Sequence, residues 1–228
     1  MILSETEAKN LLTKVLSHSK ADSASATLEG GNTYNIRFAR NSISTNGFAD
    51  GLSVSITSSF GKRSGSVSTN KFDDEAIKEA VKRSEDIARV SPENKEFMPP
   101  LGPQTYVIAT NYSESTANLS GTERSDKPAY VIEQSIANDV TTAGYMEDGV
   151  SFYAMQNSNG LFAYNKSSMA KLSSTIRTND GTGSGRFEKN FVDVNRINGK
   201  SLADWAINRS KLSVNPREIK PGRYTVIL

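Results

Sequence analysis

Apolar residues recur at helical spacing near the start of the chain and again after residue 73. In residues 4–20 they fall every three or four positions, so one face of a helix would be apolar. Ser4 and Glu7 have the spacing of a capping box, which predicts where this helix begins. A second helix is predicted from Asp73 or Asp74 to about Arg89, because an acidic cap precedes another apolar stripe.

Between these two helices, apolar and polar residues alternate, which is typical of strands with one buried face. Two glycines followed by Asn32 are typical of a turn, so we expect a hairpin formed by residues 24–28 and 34–38. Another strand is expected to begin after Asp50 and Gly51. Residues 61–65 are expected to turn the chain into a last strand at 66–69. Residues 1–90 are therefore predicted to form an α+β domain.

The next segment, residues 91–103, holds four of the seven prolines. Because proline-rich segments are extended and stiff, we predict a linker between two domains here. A second α+β domain is predicted over residues 104–220. Its expected elements are strands at 105–109, 144–156, 160–166 and 170–178, and helices at 126–142 and 201–212. Pro128 would lie in the first turn of one helix, and Trp205 and Leu212 would face inward from the other.

Pro221 and Gly222 are expected to turn the chain into a run with strand character at residues 223–228. Because a domain rarely stops inside an apolar strand, we expect 221–228 to begin a further C-terminal β-rich domain outside this chain. The predicted fold class is α+β, with antiparallel sheets, helices packed on one face of them, and two subdomains. Asn159 and Gly160 predict a tight turn between two of the strands.

The charged residues nearly balance, with 27 basic and 25 acidic side chains and a formal net charge of +2. The densest basic pair in the first half, Lys62 and Arg63, is predicted to lie in a solvated turn, so we do not expect nucleic acid as a partner.

The sequence has no cysteine, which excludes disulfides and Cys-ligated zinc within it. No signal-peptide pattern and no membrane-length apolar run occur, so we expect a cytoplasmic protein and no membrane partner.

Few residues are candidates for catalysis. The single histidine, His18, lies near the end of the first predicted helix and has no second His or Cys to share a metal with. Two acidic clusters, residues 73–75 and 147–148, are predicted to be a helix start and a turn, with paired carboxylates for acid–base chemistry as the alternative. The sequence thus offers no catalytic residue and no metal ligand set, and its substrate-binding residues are unknown.

A glycine-rich segment at residues 181–185 matches neither a phosphate-binding loop nor a dinucleotide fingerprint. It is predicted to be a flexible hairpin loop, with close backbone approach to a bound peptide or another subunit as the alternative. Phe152, Tyr153, Phe162 and Tyr164 are predicted on adjacent strands, mostly in the core. A minority of them could line a groove.

Taken in order, several segments resemble the N-terminal part of the TldD/PmbA family. They are residues 46–70 with the helix at 73–89, residues 157–164 with the strand that follows, and residues 221–228. The resemblance covers nearly the whole chain, although no single motif in it is diagnostic. The short run 65–69 is closer to the PmbA-like pattern.

This resemblance implies a cytoplasmic, metal-dependent peptidase that acts on unfolded or leader-bearing peptides and is built from two related subunits. The family also carries an older label as a modulator of DNA gyrase. Its catalytic type has a His-Glu-x-x-x-His zinc motif beyond the position that corresponds to Leu228, and the PmbA-like type lacks the motif. The resemblance therefore implies that zinc would be held in a C-terminal domain or by the partner subunit. The alternative is a non-catalytic binding or assembly module.

Overall fold

The structure is a computed structural model that describes residues 1–226. The helices are α1 (Glu5–Ser17), α2 (Asp74–Val90), α3 (Glu114–Ala117), α4 (Gly121–Ala137) and α5 (Gly199–Leu212). The strands are β1 (Ser23–Ala39), β2 (Ser42–Phe60), β3 (Arg63–Thr69), β4 (Val140–Asn157), β5 (Phe162–Thr178) and β6 (Ser184–Phe191), and a 3₁₀ turn spans Val194–Arg196. The predicted α+β class is confirmed.

Within residues 1–226, six strands join in one antiparallel sheet in the order β3-β2-β1-β4-β5-β6. The sequence predicted antiparallel sheets in two subdomains, but residues 1–90 and 104–220 each contribute three strands to the same sheet. The junction is the pair β1 and β4, which are paired from Ser25 with Asn157 to Phe38 with Gly144. The division at residues 91–103 therefore does not divide the sheet, and the two domains stay a prediction.

The helices pack on one face of this sheet, as predicted. Buried apolar side chains lie at even-numbered positions of β1, β2, β4 and β5, and the strand register places those positions on the same face. They form two clusters. One lies beneath α1 and α2 and includes Leu12, Leu28, Ile56 and Ile77. The other lies beneath α4 and α5 and includes Ile36, Met146, Leu172 and Ile207.

The predicted hairpin around Gly30 and Gly31 is wrong, because both glycines lie inside the continuous strand β1. A Cβ on Gly30 would overlap the ring of Phe152, and a Cβ on Gly31 would lie 2.9 Å from the carbonyl oxygen of Val150. These glycines therefore permit close packing against β4 rather than a turn. The chain turns instead at Arg40 and Asn41, which both have positive φ.

Helix α4 begins before the predicted start at residue 126 and ends before 142. Ser120 and Glu123 form a capping box that begins the helix at Gly121, so Pro128 lies inside the helix rather than in its first turn. Asp139 adopts a positive φ just after the helix, and β4 starts at Val140.

The two predicted strands at 160–166 and 170–178 are one strand, β5, and the turn at Gly160 is confirmed with φ of +87°.

Helix α5 faces the sheet with a different side from the predicted one. Trp205 and Leu212 are 49% and 71% exposed, whereas Ala203, Ala206 and Ile207 are buried. The predicted strand at 105–109 is not formed, and residues 223–226 form no regular element. The last two residues of the predicted terminal strand, 227 and 228, lie outside the described residues.

Candidate functional site

The face of the sheet opposite the helices is lined mainly by small polar side chains. Hydroxyl groups pair across neighbouring strands there, with Oγ atoms of Ser55 and Ser68 2.7 Å apart and those of Ser151 and Ser167 2.9 Å apart. Side chains of this face come from the odd-numbered positions of β1, β2, β4 and β5, so the packing of the helices on the other face leaves them accessible. We call this surface the open face.

A shallow depression, which we call the trough, crosses the middle of the open face. Its floor is one cross-strand row: Gly51 of β2 opposite Gly31 of β1, Gly31 opposite Ser151 of β4, and Ser151 opposite Ser167 of β5. Because two positions of the row have no side chain, the surface of the sheet is lower there. The resulting depression has a volume of about 610 Å³. The rims of the trough include Glu29, Thr33, Ser53, Tyr153 and Asn165.

The trough offers several hydrogen-bonding groups to a polar ligand. Hydroxyl and amide groups of Ser151, Ser167 and Asn165 can donate or accept hydrogen bonds. The tyrosine ring of Tyr153, which is 44% exposed, adds an apolar wall. Sequence reasoning missed this site, because Gly31 and Gly51 resemble turn residues. A glycine inside an alternating strand pattern can also mark close backbone approach, as Gly31 does.

One end of the open face carries charge. The hydroxyl group of Tyr145 donates a 2.5 Å hydrogen bond to Glu147, and the guanidinium of Arg37 lies 4.9 Å from the centre of the Tyr145 ring. Burial raises the pKa of Tyr145, and the hydrogen bond to Glu147 raises it further. This tyrosine therefore remains protonated at neutral pH and acts as a donor.

The second predicted acidic cluster is separated by the pleat of the sheet. Glu147 and Asp148 lie inside β4, not in a turn, so their side chains point to opposite faces. Asp148 is only 1% exposed and accepts two hydrogen bonds from Arg124, at 2.5 Å from Nε and 2.8 Å from Nη2. The Arg124 guanidinium also stacks on Tyr34, 4.1 Å from the ring centre. This carboxylate is occupied by its ion pair, so it is not part of an acid–base pair with Glu147.

The first acidic cluster is a helix start, as predicted. Asp73 caps α2 by accepting a hydrogen bond from the backbone N–H of Ala76 at 2.9 Å. Asp74 forms an ion pair with Lys14 of α1, which lowers the pKa of its carboxyl group through a hydrogen bond and charge attraction. Both carboxylates therefore have structural partners. Of the basic pair predicted to lie in a turn, Lys62 lies exposed in the turn between β2 and β3, whereas Arg63 is the first residue of β3.

His18 ends α1, as the sequence predicted. Its Nε2 atom is buried and has no hydrogen-bond partner among the residues that the structure describes. The surface pocket around it is lined by the cations Lys20, Lys78, Lys82 and Arg89, with Glu85 and Asp86 as the acidic residues. The carboxylate of Glu85 accepts hydrogen bonds from the N–H of Lys20 and the hydroxyl of Ser19. A cationic pocket with one imidazole does not fit a zinc ion.

Across the described residues 1–226, no group of three His, Cys, Asp or Glu side chains is placed to hold a metal ion. None of the helices in the same range is long and apolar enough to cross a membrane.

The glycine-rich segment contacts the chain's own helix. A Cβ on Gly183 would overlap the carbonyl oxygen of Ser210, and one on Gly185 would overlap that of Ala206. Both partners belong to α5, so the glycines let β6 and this helix pack closely. Gly181, with φ of +77°, turns the chain between β5 and β6. The close approach seen here is to the chain's own helix, and close approach to a bound peptide or another subunit stays a prediction.

The four aromatic residues lie on the adjacent strands β4 and β5, as predicted. Phe152 is buried and its ring stacks on that of Tyr164 with centres 5.9 Å apart. Phe162 packs against the same cluster as these two. Tyr153 points to the open face, because it occupies an odd-numbered position. Three of the four thus support the core, and Tyr153 lines the trough.

Comparison with known proteins links this architecture to one family. Residues 24–88 match the family model described as PmbA/TldA metallopeptidase domain 1. No curated protein sequence matches the chain. Among solved structures, TldE from Thermococcus kodakarensis is similar with a TM-score of 0.78 and 15% identity, over 89% of this chain and 47% of that one.

Two further solved structures are similar, and each is named as a proposed modulator of DNA gyrase. The one from Thermotoga maritima has a TM-score of 0.84 and 15% identity, over 94% of this chain and 50% of that one. The one from Bacteroides thetaiotaomicron has a TM-score of 0.80 and 19% identity, over 98% of this chain and 53% of that one. At these identities the likeness establishes the fold. The chain spans about half the length of these structures.

Proposed function

We propose that the chain is the N-terminal region of a metal-dependent peptidase subunit of the TldD/PmbA family, because residues 24–88 match the model of that family's first domain and three solved structures share the fold. In this proposal the open face forms part of the wall of a substrate chamber for unfolded or leader-bearing peptides. The observation that carries the proposal is the trough, a polar groove with a floor of Gly51, Gly31, Ser151 and Ser167. An extended peptide presents main-chain amides, and this floor offers small hydrogen-bonding groups without large side chains to block it.

The metal chemistry is assigned to another part of the assembly. A zinc ion would be held by a C-terminal domain or by a related TldD/PmbA-family subunit that pairs with this one in the cytoplasm. The arrangement of carboxylates described above supports this assignment, since the buried Asp148 is paired with Arg124. Peptide cleavage by this chain alone, with zinc added, would contradict the assignment.

A second candidate is a non-catalytic binding or assembly module, equivalent to the PmbA-like partner subunit. The observation that favours it is that the acidic clusters serve the fold, since Asp73 caps α2 and Asp74 pairs with Lys14. The two candidates differ in whether the complete gene product contains a zinc motif. Metal analysis of the purified complete protein decides between them. Nucleic acid is a distant alternative, which salt-sensitive DNA binding would support.

The trough can be tested by filling it. A Cβ on Gly51 meets no atom within 4 Å, so Gly51→Phe adds a large side chain over the trough without a clash in the sheet. We expect this variant of the complete gene product, assayed with its related subunit, to cleave an unstructured peptide at least roughly tenfold more slowly, since blocked binding lowers the rate by the lost binding energy.

Gly121→Phe is the matched control, because Gly121 also meets no atom within 4 Å and lies at the exposed start of α4. It should cleave the peptide at the rate of the parent protein. Equal rates for the Gly51 and Gly121 variants would rule out a role for the trough in substrate handling.

A further inference from the structure

A segment without regular secondary structure runs along the edge of the sheet beside β5. Residues 100–112, which we call the strap, form no helix or strand. The strap is anchored at one end by Asn157 and Asn159, whose side-chain amides donate to the carbonyl oxygens of Leu101 at 2.8 Å and Pro100 at 2.7 Å. At the other end, the backbone N–H of Ser168 donates to the carbonyl oxygen of Asn111 at 2.9 Å.

Beneath the strap, the first half of β5 has a free edge. Strand β6 pairs only with residues 170–177 of β5, so residues 162–167 have no described strand on their outer side. The N–H of Ser168 points outward, and backbone groups alternate along a strand, so those of Tyr164 and Lys166 also point outward. Neither the strap nor another described strand supplies a backbone partner for these groups.

The space between the strap and this edge is a cleft of about 660 Å³ lined by four tyrosines. Tyr106 and Tyr112 come from the strap side, and Tyr153 and Tyr164 come from the sheet. Tyr153 lies on the open face and Tyr164 on the helix-covered face, so the cleft extends around the edge of the sheet to both faces. We call it the edge cleft.

The charges in the edge cleft nearly cancel. Its charged lining residues are Lys166 and Glu5, and the Lys166 ammonium lies 3.9 Å from the centre of the Tyr112 ring. Hydrogen bonding to Tyr112 raises the pKa of Lys166, and burial raises the pKa of Tyr164, whose hydroxyl donates to the carbonyl oxygen of Leu3 at 2.8 Å. The cleft therefore combines one basic side chain, one acidic side chain and four phenol groups.

We propose that the edge cleft binds an extended peptide, which adds to β5 as a strand alongside residues 162–167. This inference rests on the proposed function, because it takes a peptide as the ligand, but it places the peptide at a second site. An extended chain is the occupant that fits, since only a strand can satisfy the row of outward backbone groups. Its alternate side chains would contact Tyr153 on one face and Tyr164 on the other, which favours neutral apolar or aromatic residues.

The test uses the complete gene product and a fluorescein-labelled eight-residue peptide of Ser, Val and Tyr. Binding is measured by fluorescence anisotropy, and mass spectrometry verifies that the peptide stays intact. A second peptide carries proline at every other position, which removes the N–H donors that strand addition needs. We expect the proline peptide to bind at least roughly tenfold more weakly, the equivalent of about one lost hydrogen bond. Equal affinities would overturn the proposal.

A matched pair of variants tests the edge itself. Lys166→Pro removes an outward N–H while the ladder between β4 and β5 keeps its bonds, and proline is tolerated at such edge positions. Lys166→Ala removes the same side chain but keeps the N–H. We expect the proline variant to lose binding and the alanine variant to retain most of it. Equal binding by the two variants would contradict strand addition.

A second pair keeps the test valid if the proline variant does not fold. Tyr106 and Tyr130 are both 51% exposed, but only Tyr106 lines the edge cleft. Tyr106→Ala should weaken peptide binding several-fold, because an aromatic contact is lost, and Tyr130→Ala should not. Unchanged binding by Tyr106→Ala would count against the cleft.

The outcomes for the two sites are separable. If Gly51→Phe slows cleavage while the edge-cleft variants bind the peptide normally, the edge cleft is excluded and the trough remains. If Gly51→Phe cleaves normally while Lys166→Pro loses the peptide, the trough is excluded and the edge cleft stands as a peptide site.

Discussion

At the scale of single residues, the buried ion pair of Arg124 and Asp148 is the most sensitive contact described. Both side chains are almost fully enclosed, at 10% and 1% exposed, and Tyr34 covers the guanidinium. Removing one partner leaves an uncompensated charge in a poorly solvated place, which costs far more than the net value of the intact pair.

We therefore predict that Arg124→Met lowers the free energy of unfolding by about 3–5 kcal/mol, as measured by urea denaturation. Arg63→Met is the control, because its ion pair with Glu93, at 3.8 Å, is exposed and should contribute less than about 1 kcal/mol. Similar losses for the two variants would show that Asp148 is not isolated from water.

Asp193 provides a pH-dependent contact. The Ser115 hydroxyl donates to its carboxylate at 2.5 Å and the N–H of Asn195 donates at 2.9 Å, and both bonds lower the pKa of Asp193. A lowered pKa in the folded state means that the proton binds better to the unfolded chain. The stabilisation is therefore complete above the ordinary carboxyl pKa and is lost as the pH falls through the lowered value.

We predict that Ser115→Ala raises the pKa of Asp193 toward its ordinary value, as followed by carboxyl carbon NMR. The stability difference from the parent protein should shrink as the pH falls from neutrality through the ordinary carboxyl pKa and then through the lowered pKa of the folded state. Thr178→Ala is the control, since the Thr178 hydroxyl donates to Asp180 instead, at 2.6 Å. A titration of Asp193 that is unchanged by Ser115→Ala would contradict the assigned cause.

At the scale of elements, small residues decide how α5 lies against β6. Gly183 and Gly185 contact the backbone of Ser210 and Ala206 so closely that a single methyl group would overlap them. This contact explains why Ala203 and Ala206 face the sheet while Trp205 is left outside. The larger side chains would hold the helix away from the strand.

We predict that Gly185→Ala lowers the free energy of unfolding by about 1–3 kcal/mol through overpacking. Gly51→Ala is the control, because a Cβ there meets nothing within 4 Å and should have little effect. Thermal unfolding of both variants measures the difference. A stable Gly185→Ala protein would mean that α5 can shift without cost.

At the scale of the whole molecule, the two apolar clusters share the strands β1 and β4. Leu28 and Ile36 lie on one strand but in different clusters, and so do Ala154 and Met146. A disturbance of either cluster should therefore propagate along these strands to the other.

We predict that Leu172→Ala, in the second cluster, costs about 2–5 kcal/mol and lowers hydrogen-exchange protection in both clusters equally. Val107→Ala, at a strap residue that is 95% exposed, should leave protection unchanged. Protection lost in the second cluster alone would show two independently unfolding units, as the predicted division into two domains implies.

Local features of the sequence were sufficient to predict several parts of the structure. The capping box at Ser4, the acidic cap at Asp73 and the turn at Gly160 depend on contacts within a few residues, and all three are confirmed. The alternation of apolar and polar residues also depends only on neighbouring residues, and it indicated strands with one covered face. The resemblance to the TldD/PmbA family rested on the order of such segments and is also confirmed.

Only the tertiary structure decided what the glycines do and where a site can form. Glycines such as Gly31 and Gly51 are typical of turns, yet these two lie opposite each other in long strands. The residues they pair with are distant in sequence. Asp148 pairs with Arg124, and Tyr153 reaches the trough, through the register of β4 that no local pattern specifies. Short-range hydrogen bonds and periodicity are encoded in neighbouring residues, whereas strand register and close packing depend on which distant backbones can approach one another.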